Sequence, residues 1–187
     1  IDDAERAPRC GHVFAGGNSH RDYVPLLAAA RLLPTRRFVI ATDRLKGRRL
    51  PPNVTAGPVS HRQFIRLMAS SAVVATPVRP GLGRAAGQQT YLNAMLLGKV
   101  PIVNSVDVWG LTDHISDGVN GILVDGSPES WAASIDWCLD PENASAVDRM
   151  AHRAHLAASE EYTFDRHLER LVASLEEMIA SSGSGRR

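Results

Sequence analysis

Residues 72–104, AVVATPVRPGLGRAAGQQTYLNAMLLGKVPIVN, decide the fold. An apolar, β-branched run opens this stretch, and a loop with prolines, glycines and arginines follows over 77–87. A helical pattern over 88–97 ends at Gly98, and a second apolar run covers 100–103. The order predicts a strand, a loop, a helix and another strand. Such a loop favours anion binding, because unpaired N–H groups and the positive end of the helix dipole lie at a helix N-terminus.

The alternation of strand and helix continues on both sides of this central unit. Further strands are predicted at 12–15, 37–42, 53–56 and 122–124, and amphipathic helices lie between and after them, the last over 163–180. About six strands alternating with helices predict a three-layer, Rossmann-like α/β fold, in which a parallel sheet has helices on both faces. Ligands of such sheets bind at the carboxyl ends of the strands, near the topological switch point.

The length of the chain predicts one domain with short extensions. It has 187 residues, of which 44% are hydrophobic and 22% charged, as in ordinary globular proteins. We expect a lead-in over 1–10, a Rossmann-like domain over 11–160, a carboxyl-terminal helix over 161–181 and a disordered tail over 182–187. Because the sequence begins with Ile1, it is also interpreted as a possible piece of a longer chain.

Composition and charge argue against several classes of protein. The net charge of +1 provides no whole-molecule attraction to nucleic acid. No apolar run approaches the roughly 18 residues of a membrane span. Cys10 and Cys138 lack CxxC spacing, which indicates neither a zinc site nor a disulfide framework and favours a cytoplasmic location. His152 and His155 are three residues apart without a third ligand nearby, so no metal is predicted.

The loop 81–87, GLGRAAG, partly matches the dinucleotide-binding pattern GxGxxG. Its third glycine is at the seventh place instead of the sixth, and the loop follows about the fourth strand. A nicotinamide- or flavin-dependent oxidoreductase is therefore disfavoured, and a tight turn without a ligand is the simpler alternative. Arg84 lies in this loop, where it could contact a phosphate.

A second glycine-containing loop, GGNSHRD at 16–22, follows the first predicted strand. Its glycines would let a ligand approach the backbone closely, and Arg21 could reach a phosphate. Ser19 and Asp22 have capping-box spacing and predict that a helix starts here, which alone explains those two residues. The cationic segment 44–49 follows the next strand. A solvated loop is its simpler interpretation, and contact with a phosphate or an acidic partner is the alternative.

Together these segments resemble the carboxyl-terminal, nucleotide-sugar-binding domain of GT-B glycosyltransferases, the group that includes the family 4 sugar transferases. The resemblance is carried by the first glycine pair, NVTAGPVSHRQFIRLMASSAVVATP at 53–77, NAMLLGKVPIV at 93–103 and DHISDGVNGILV at 113–124. It covers about residues 11–140. It implies one half of a GT-B fold, with the acceptor-binding amino-terminal domain on another segment or a partner chain.

The resemblance also implies roles for the matching positions. The donor diphosphate would contact the two loops and the N-terminus of the central helix, at Gly16, Gly17, Asn18, Arg21, Arg84, Gln88, Gln89 and Thr90. The nucleobase and ribose would contact Gly57, Pro58, Val59 and Asn93. The implied ligand is the nucleotide-sugar itself, with no further cofactor, and catalytic residues stay unassigned.

The chain departs from the family pattern at the positions that usually carry charge. The usual pair of glutamates, eight residues apart, falls on Ala85 and Asn93, neither of which is acidic. The usual basic pair for the diphosphate is not evident, and Arg21 is the best substitute, followed by Arg84. The resemblance thus implies a domain that binds a UDP- or GDP-sugar within a two-domain hexosyltransferase and is inactive alone. The alternative is a non-catalytic nucleotide-binding subunit that works with a partner chain. A non-hydrolysing sugar-nucleotide epimerase is disfavoured, because the loop 77–90 has no acidic residue.

Overall fold

The computed structural model describes residues 11–81, 86–106, 110, 111 and 113–183, with side chains as far as Ile179. Its strands are β1 (His12–Gly16), β2 (Arg37–Ala41), β3 (Val54–Gly57), β4 (Val73–Thr76), β5 (Val100–Asn104) and β6 (Ile122–Val124). Its α-helices are α1 (Val24–Leu32), α2 (His61–Ala69), α3 (Gln88–Leu96), α4 (Pro128–Leu139), α5 (Ala144–Leu156) and α6 (Phe164–Gly183). A short 3₁₀ turn at Pro141–Asn143 precedes α5, and a π-turn at Ala157–Glu161 follows it.

The described strands form one sheet in the order β3-β2-β1-β4-β5-β6, and all neighbours are parallel. The predicted Rossmann-like sheet of about six strands is therefore confirmed. β1 and β4 lie side by side, with Phe14 opposite Val74, although β2 and β3 separate them in the chain. The direction of winding reverses between β1 and β4, so the ends of these two strands form the topological switch point.

Helices cover both faces of the sheet. Val13 and Ala15 of β1 face a core that includes residues of α1 and α4, whereas Phe14 between them faces a core with Met68 of α2. This alternation follows from the strand pleat, which directs successive side chains to opposite faces. α3 and α5 pack together in a third cluster beside β5. The three layers leave the carboxyl edge of the sheet for loops.

The structure corrects the predicted start of the first helix. The capping box expected over 19–22 is wrong, because α1 begins at Val24 with Tyr23 in the N-cap position and without a side-chain cap. The backbone of this segment pairs instead with the loop after β4, where the N–H of Asp22 donates to the carbonyl of Pro77 at 3.1 Å. A segment held in that pairing cannot also form the first turn of a helix.

The described residues begin after the predicted lead-in and end within the predicted tail. The predicted lead-in, 1–10, and residues 184–187 of the predicted tail lie outside the described residues. α6 reaches Gly183, so residues 182 and 183, which we expected in the disordered tail, are helical. Over the described ranges, no helix combines the length and the apolar character needed to cross a membrane.

Candidate functional site

A groove of about 470 Å³ opens at the carboxyl edge of the sheet, beside the ends of β1 and β4. Its lining comes from the loop after β1 and from the residues that lead into α3, namely Gly17, Asn18, Ser19, His20, Arg21, Ala86, Gly87 and Gln89. The groove lies at the topological switch point, where open parallel sheets bind their ligands. Four of the residues predicted to contact a diphosphate line it directly: Gly17, Asn18, Arg21 and Gln89.

Arg21 connects the two sides of this groove. Its Nε donates to the carbonyl of Gly16 at 3.2 Å, and one terminal nitrogen donates to the carbonyl of Ser19 at 3.0 Å. The other terminal nitrogen donates to Thr90 Oγ1, in the first turn of α3, at 2.8 Å. Three of the five guanidinium N–H groups are thus bound to described residues, and two remain for a ligand.

The charge of Arg21 is held in a half-buried position. Burial lowers the pKa of this guanidinium, an effect that Tyr23 opposes and the positive charge of Arg44 increases. Arginine stays protonated in proteins even so. Because its hydrogen bonds fix the side chain, the positive charge is placed in the groove before any ligand arrives.

The two loops that form the groove are joined through their backbones. Arg21 and Val78 form an antiparallel bridge, and the N–H of Arg79 donates to the carbonyl of His20 at 2.9 Å. His20 has a φ of 53°, which is uncommon for a residue with a side chain. The pairing of His20 and the two residues after it with the loop after β4 holds it in this conformation. The loop after β1 is therefore a fixed wall of the site.

Two glycines allow the close packing under the groove. A Cβ on Gly16 would lie 2.4 Å from the ring of Phe64. A Cβ on Gly87 would lie 2.9 Å from both Thr76 and Val78, and its φ of +83° also disfavours any other residue. The glycines let the end of β1 and the start of α3 approach their neighbours at distances that no side chain permits.

Polar residues behind the first loop hold its shape. The hydroxyl of Tyr23 donates to the carbonyl of Gly17 at 2.6 Å, and Thr42 Oγ1 donates to Asn18 Oδ1 at 2.7 Å. Burial raises the pKa of Tyr23 to about 12, so this hydroxyl is a neutral donor at physiological pH. No motif in the sequence indicated Tyr23 or Thr42. The role of Thr42 depends on β2 lying next to β1, which requires the strand order.

The N-terminus of α3 forms the other wall. The carbonyl of Gly87 accepts hydrogen bonds from the N–H groups of Thr90 at 2.9 Å and Tyr91 at 3.2 Å. The N–H groups of Gln88 and Gln89 precede these and have no intrahelical partner, as at any helix start. The positive end of the helix dipole lies at the same place. A guanidinium and a helix N-terminus on one groove form a site suited to a phosphate or diphosphate.

The residues predicted to contact the nucleobase and ribose do not line the groove, and one predicted diphosphate residue lies outside the described residues. Residues 57–59 lie at the carboxyl end of β3, two strands from β1, and none of them lines the groove. Asn93 is in the second turn of α3, where its Oδ1 accepts from Gln89 Nε2 at 3.0 Å. Arg84 lies outside the described residues. In the described part of the chain, no group of three or more His, Cys, Asp or Glu could hold a metal ion.

Sequence reasoning missed four residues that line the groove: Ser19, His20, Ala86 and Gly87. A glycine directly before a helical pattern was an available signal for Gly87. Ser19 was interpreted as a helix cap, and its role in the wall of the groove became visible only when α1 was found to start later.

The profile of the family described as "Glycosyl transferases group 1" matches residues 16–141, which is more than half of the chain. The chain belongs to this family. The predicted resemblance to the carboxyl-terminal domain of a GT-B glycosyltransferase is confirmed. Among curated protein sequences, no match to the chain is found.

Solved structures share the fold of this group 1 domain at low identity. A glycosyltransferase from Rickettsia africae has a TM-score of 0.72 and 12% identity, over 92% of this chain and 49% of that one. Anabaena Alr3699/HepE in complex with UDP-glucose has a TM-score of 0.70 and 20% identity, over 90% and 49%. The C-terminal domain of the group 1 family protein LpcC from Francisella tularensis has a TM-score of 0.64 and 15% identity, over 86% and 90%. This chain therefore spans about half the length of the first two proteins.

Proposed function

We propose that this chain is the donor-binding domain of a transferase that uses a sugar linked to UDP or GDP. The donor diphosphate would lie in the groove between Gly17 and Gln89. One observation carries the proposal, namely that Arg21 extends from the loop after β1 to Thr90 and so brings a cation to the N-terminus of α3. Family membership supports the proposal, as does the shared fold of a protein solved with UDP-glucose.

The groove would stabilise the leaving group of the transfer. When the bond between sugar and diphosphate breaks, negative charge develops on the departing nucleotide. The two remaining N–H groups of Arg21 and the backbone N–H groups of Gln88 and Gln89 would donate to its oxygens. Donors that are fixed in advance stabilise such charge without reorganisation. Activation of the acceptor hydroxyl is assigned to a second domain, and no catalytic residue is proposed in this one.

We place the nucleobase beside residues 57–59, at the carboxyl end of β3. That position is two strands from β1, or about 10 Å at the usual strand spacing, which suits the separation of a base from its diphosphate. Asn93 would bind sugar or ribose hydroxyls through its amide N–H groups, since its Oδ1 already accepts from Gln89. The carboxylate that usually fills this position would accept from hydroxyls more strongly.

The exposed apolar side chains of α6 are further support for a second domain that packs against this one. Five apolar residues recur along α6 at spacings of four and three and are 47% to 77% exposed: Phe164, Leu168, Leu171, Leu175 and Met178. We propose that the acceptor-binding domain covers this stripe. The 187 residues alone would then bind the donor without transferring its sugar.

A non-catalytic nucleotide-binding subunit is the second candidate. It is favoured by Asn93, which stands where the family pattern usually has a glutamate. A transfer assay on the complete two-domain assembly distinguishes the candidates, because a non-catalytic subunit would bind nucleotide without turnover. The cytoplasmic location and the absence of a further cofactor stay predictions.

Thermal unfolding with UDP, GDP, ADP, TDP and NAD tests the proposed function. A ligand at 100 times its dissociation constant should stabilise the chain by about 2.7 kcal/mol. UDP or GDP should raise the midpoint, and NAD should not. No response to any nucleoside diphosphate would reject the donor site, and a response to NAD alone would favour the oxidoreductase interpretation.

A further inference from the structure

A second guanidinium lies beside the groove, on the side of the loop opposite to α3. Arg44 follows the end of β2, and its Nε donates to the carbonyl of Asn18. The carbonyl of the next residue, Ser19, accepts from Arg21 at 3.0 Å. Successive carbonyls of one loop thus hold two guanidinium groups. Arg44 has four further N–H groups with no partner among the described residues.

No carboxylate neutralises this pair within the described part of the chain, since neither Arg21 nor Arg44 forms an ion pair there. Two acids are adjacent in sequence, Asp22 after Arg21 and Asp43 before Arg44. Asp22 Oδ1 accepts from the N–H of Val24 at 3.0 Å, and the backbone N–H of Asp43 donates to Asn18 Oδ1 at 3.2 Å. Residues 44–106 contain seven Arg and two Lys but no Asp or Glu, although the chain has 20 acidic residues. The segment 44–106, which begins at Arg44, therefore contains no carboxylate side chain.

The two guanidinium groups repel each other across the loop. Burial has the largest effect on the pKa of Arg21 and lowers it, and Tyr23 raises it. The positive charge of Arg44 lowers the pKa further. Ordering an exposed arginine beside a second arginine costs side-chain entropy as well as electrostatic energy. A bound polyanion offsets the repulsion between the two guanidinium groups, so no carboxylate of the chain is needed to balance their charge.

We propose that Arg44 is the second cation of the donor site and binds the phosphate nearer the nucleoside. This assignment rests on the proposed function and adds the basic group that the family pattern did not locate. The order β3-β2-β1-β4 puts Arg44, at the end of β2, between the groove and residues 57–59. Arg21, which contacts Thr90 of α3, then binds the phosphate nearer the sugar.

Calorimetric titration of UDP, UMP and inorganic pyrophosphate into three forms of the chain tests this assignment. The forms are the wild type, Arg44→Gln and Arg48→Gln. Arg48 is exposed on the same loop and carries the same charge, but among the described residues its one hydrogen bond is from its backbone N–H to the carbonyl of Leu45. Arg44→Gln should weaken UDP, UMP and pyrophosphate about tenfold, as expected for loss of a charge-assisted hydrogen bond. Arg48→Gln should change each affinity less than about twofold.

The outcomes distinguish a failure of the Arg44 assignment from a failure of the proposed donor site. Equal affinities of Arg44→Gln and Arg48→Gln would reject Arg44 while leaving the groove as the donor site. Weakening of UDP with unchanged UMP would place Arg44 at the other phosphate and reject the proposed order. If the wild type binds none of UDP, UMP and pyrophosphate, the donor site itself fails and Arg44 loses its role.

A measurement on the wild type needs no substitution. Pyrophosphate should shift the Nε–Hε resonances of Arg44 and Arg21 and leave that of Arg48 unchanged. Equal small shifts of all three would indicate general screening by the anion and would overturn the assignment.

Discussion

The loop after β1 and the helix α6 are both rich in residues that favour binding, but their surroundings differ. Carbonyl groups of the loop accept hydrogen bonds from the hydroxyls of Tyr23 and Thr42 and from the guanidinium of Arg21. The apolar side chains of α6 contact solvent over about half or more of their surface. The loop is held by hydrogen bonds from within this chain. The apolar stripe of α6 is the surface on which we propose that a second domain packs.

This contrast separates what one domain can do from what needs two. We expect the groove to bind its ligand without a second domain, because its donors are fixed before the ligand arrives. An exposed apolar stripe gains free energy only when a partner removes it from water. Substitutions in the two regions should therefore have different effects. Those around the groove should change the stability or affinity of the isolated chain, whereas those on α6 should change its stability little.

The largest difference is expected for two leucines truncated in the same way. Leu26 of α1 is fully buried, whereas Leu171 of α6 is 48% exposed. Leu26→Ala should lower the free energy of unfolding by about 2–5 kcal/mol, because it leaves a cavity in the core. Leu171→Ala should change it by less than about 0.5 kcal/mol. Urea unfolding compares the two, and similar losses would show that α6 is packed against this domain.

The second difference concerns two glycines that end strands. A Cβ on Gly16 would overlap the ring of Phe64, and a Cβ on Gly57 would meet nothing within 4 Å. Gly16→Ala should cost about 1–3 kcal/mol in the free energy of unfolding through overpacking, and Gly57→Ala should cost much less. Thermal unfolding measures both. Equal midpoints would mean that the groove is not tightly packed.

Two arginines at opposite edges of the sheet test the charge in the groove. Arg21→Gln should weaken UDP binding about tenfold or more, because it removes a charge-assisted contact in a half-buried site. Arg37→Gln, at the start of β2 and exposed, should leave the affinity within about twofold. Calorimetric titration provides both constants. Equal weakening would reduce Arg21 to a contributor of general positive charge.

The smallest effect is expected at Tyr23. Its pKa in the folded chain is about 12, above the ordinary value of 10.0, so the folded state holds this proton more tightly than the unfolded state. The associated stability is complete below pH 10 and is lost as the pH rises to 12. Tyr23→Phe removes this contribution along with the hydrogen bond to Gly17, at a cost of about 1 kcal/mol at neutral pH.

Unfolding of the wild type and the Tyr23→Phe variant from pH 8 to pH 12 checks the sign. The advantage of the wild type should shrink between pH 10 and pH 12. Burial also raises the pKa of Tyr91, so the variant should keep part of the decline. An advantage that grows with pH would contradict the burial of the Tyr23 hydroxyl.

Much of the fold could be predicted from the sequence because its signals are local. The apolar runs of the strands, the turn-forming residues between them and the spacing of the helices all act over a few residues. The glycine loop after β1 and the helix start near Gln88 were found in the same way. The switch-point rule predicted the edge of the sheet where a ligand binds, and the family resemblance assigned Arg21 and Thr90 to the same ligand.

The missed features depend on contacts between distant segments. The bridge between Arg21 and Val78 delays the start of α1, and no residue in 19–22 indicates it. Thr42 follows β2, and its contact with the loop after β1 forms only because the two strands are neighbours in the folded sheet. Arg44 belongs to a cationic segment whose simpler interpretation was a solvated loop. Its bond to Asn18 distinguishes it from the other cations there.

The most direct test of the donor groove is a map of amide resonances of the ¹⁵N-labelled chain during titration with UDP and, separately, GDP. Binding in the groove predicts the largest shifts at residues 17–21 and 87–90, smaller shifts near 57–59, and none along α6. Shifts concentrated on α6, or a spectrum that neither nucleotide changes, would contradict the assignment of the groove between β1 and β4 as the donor site.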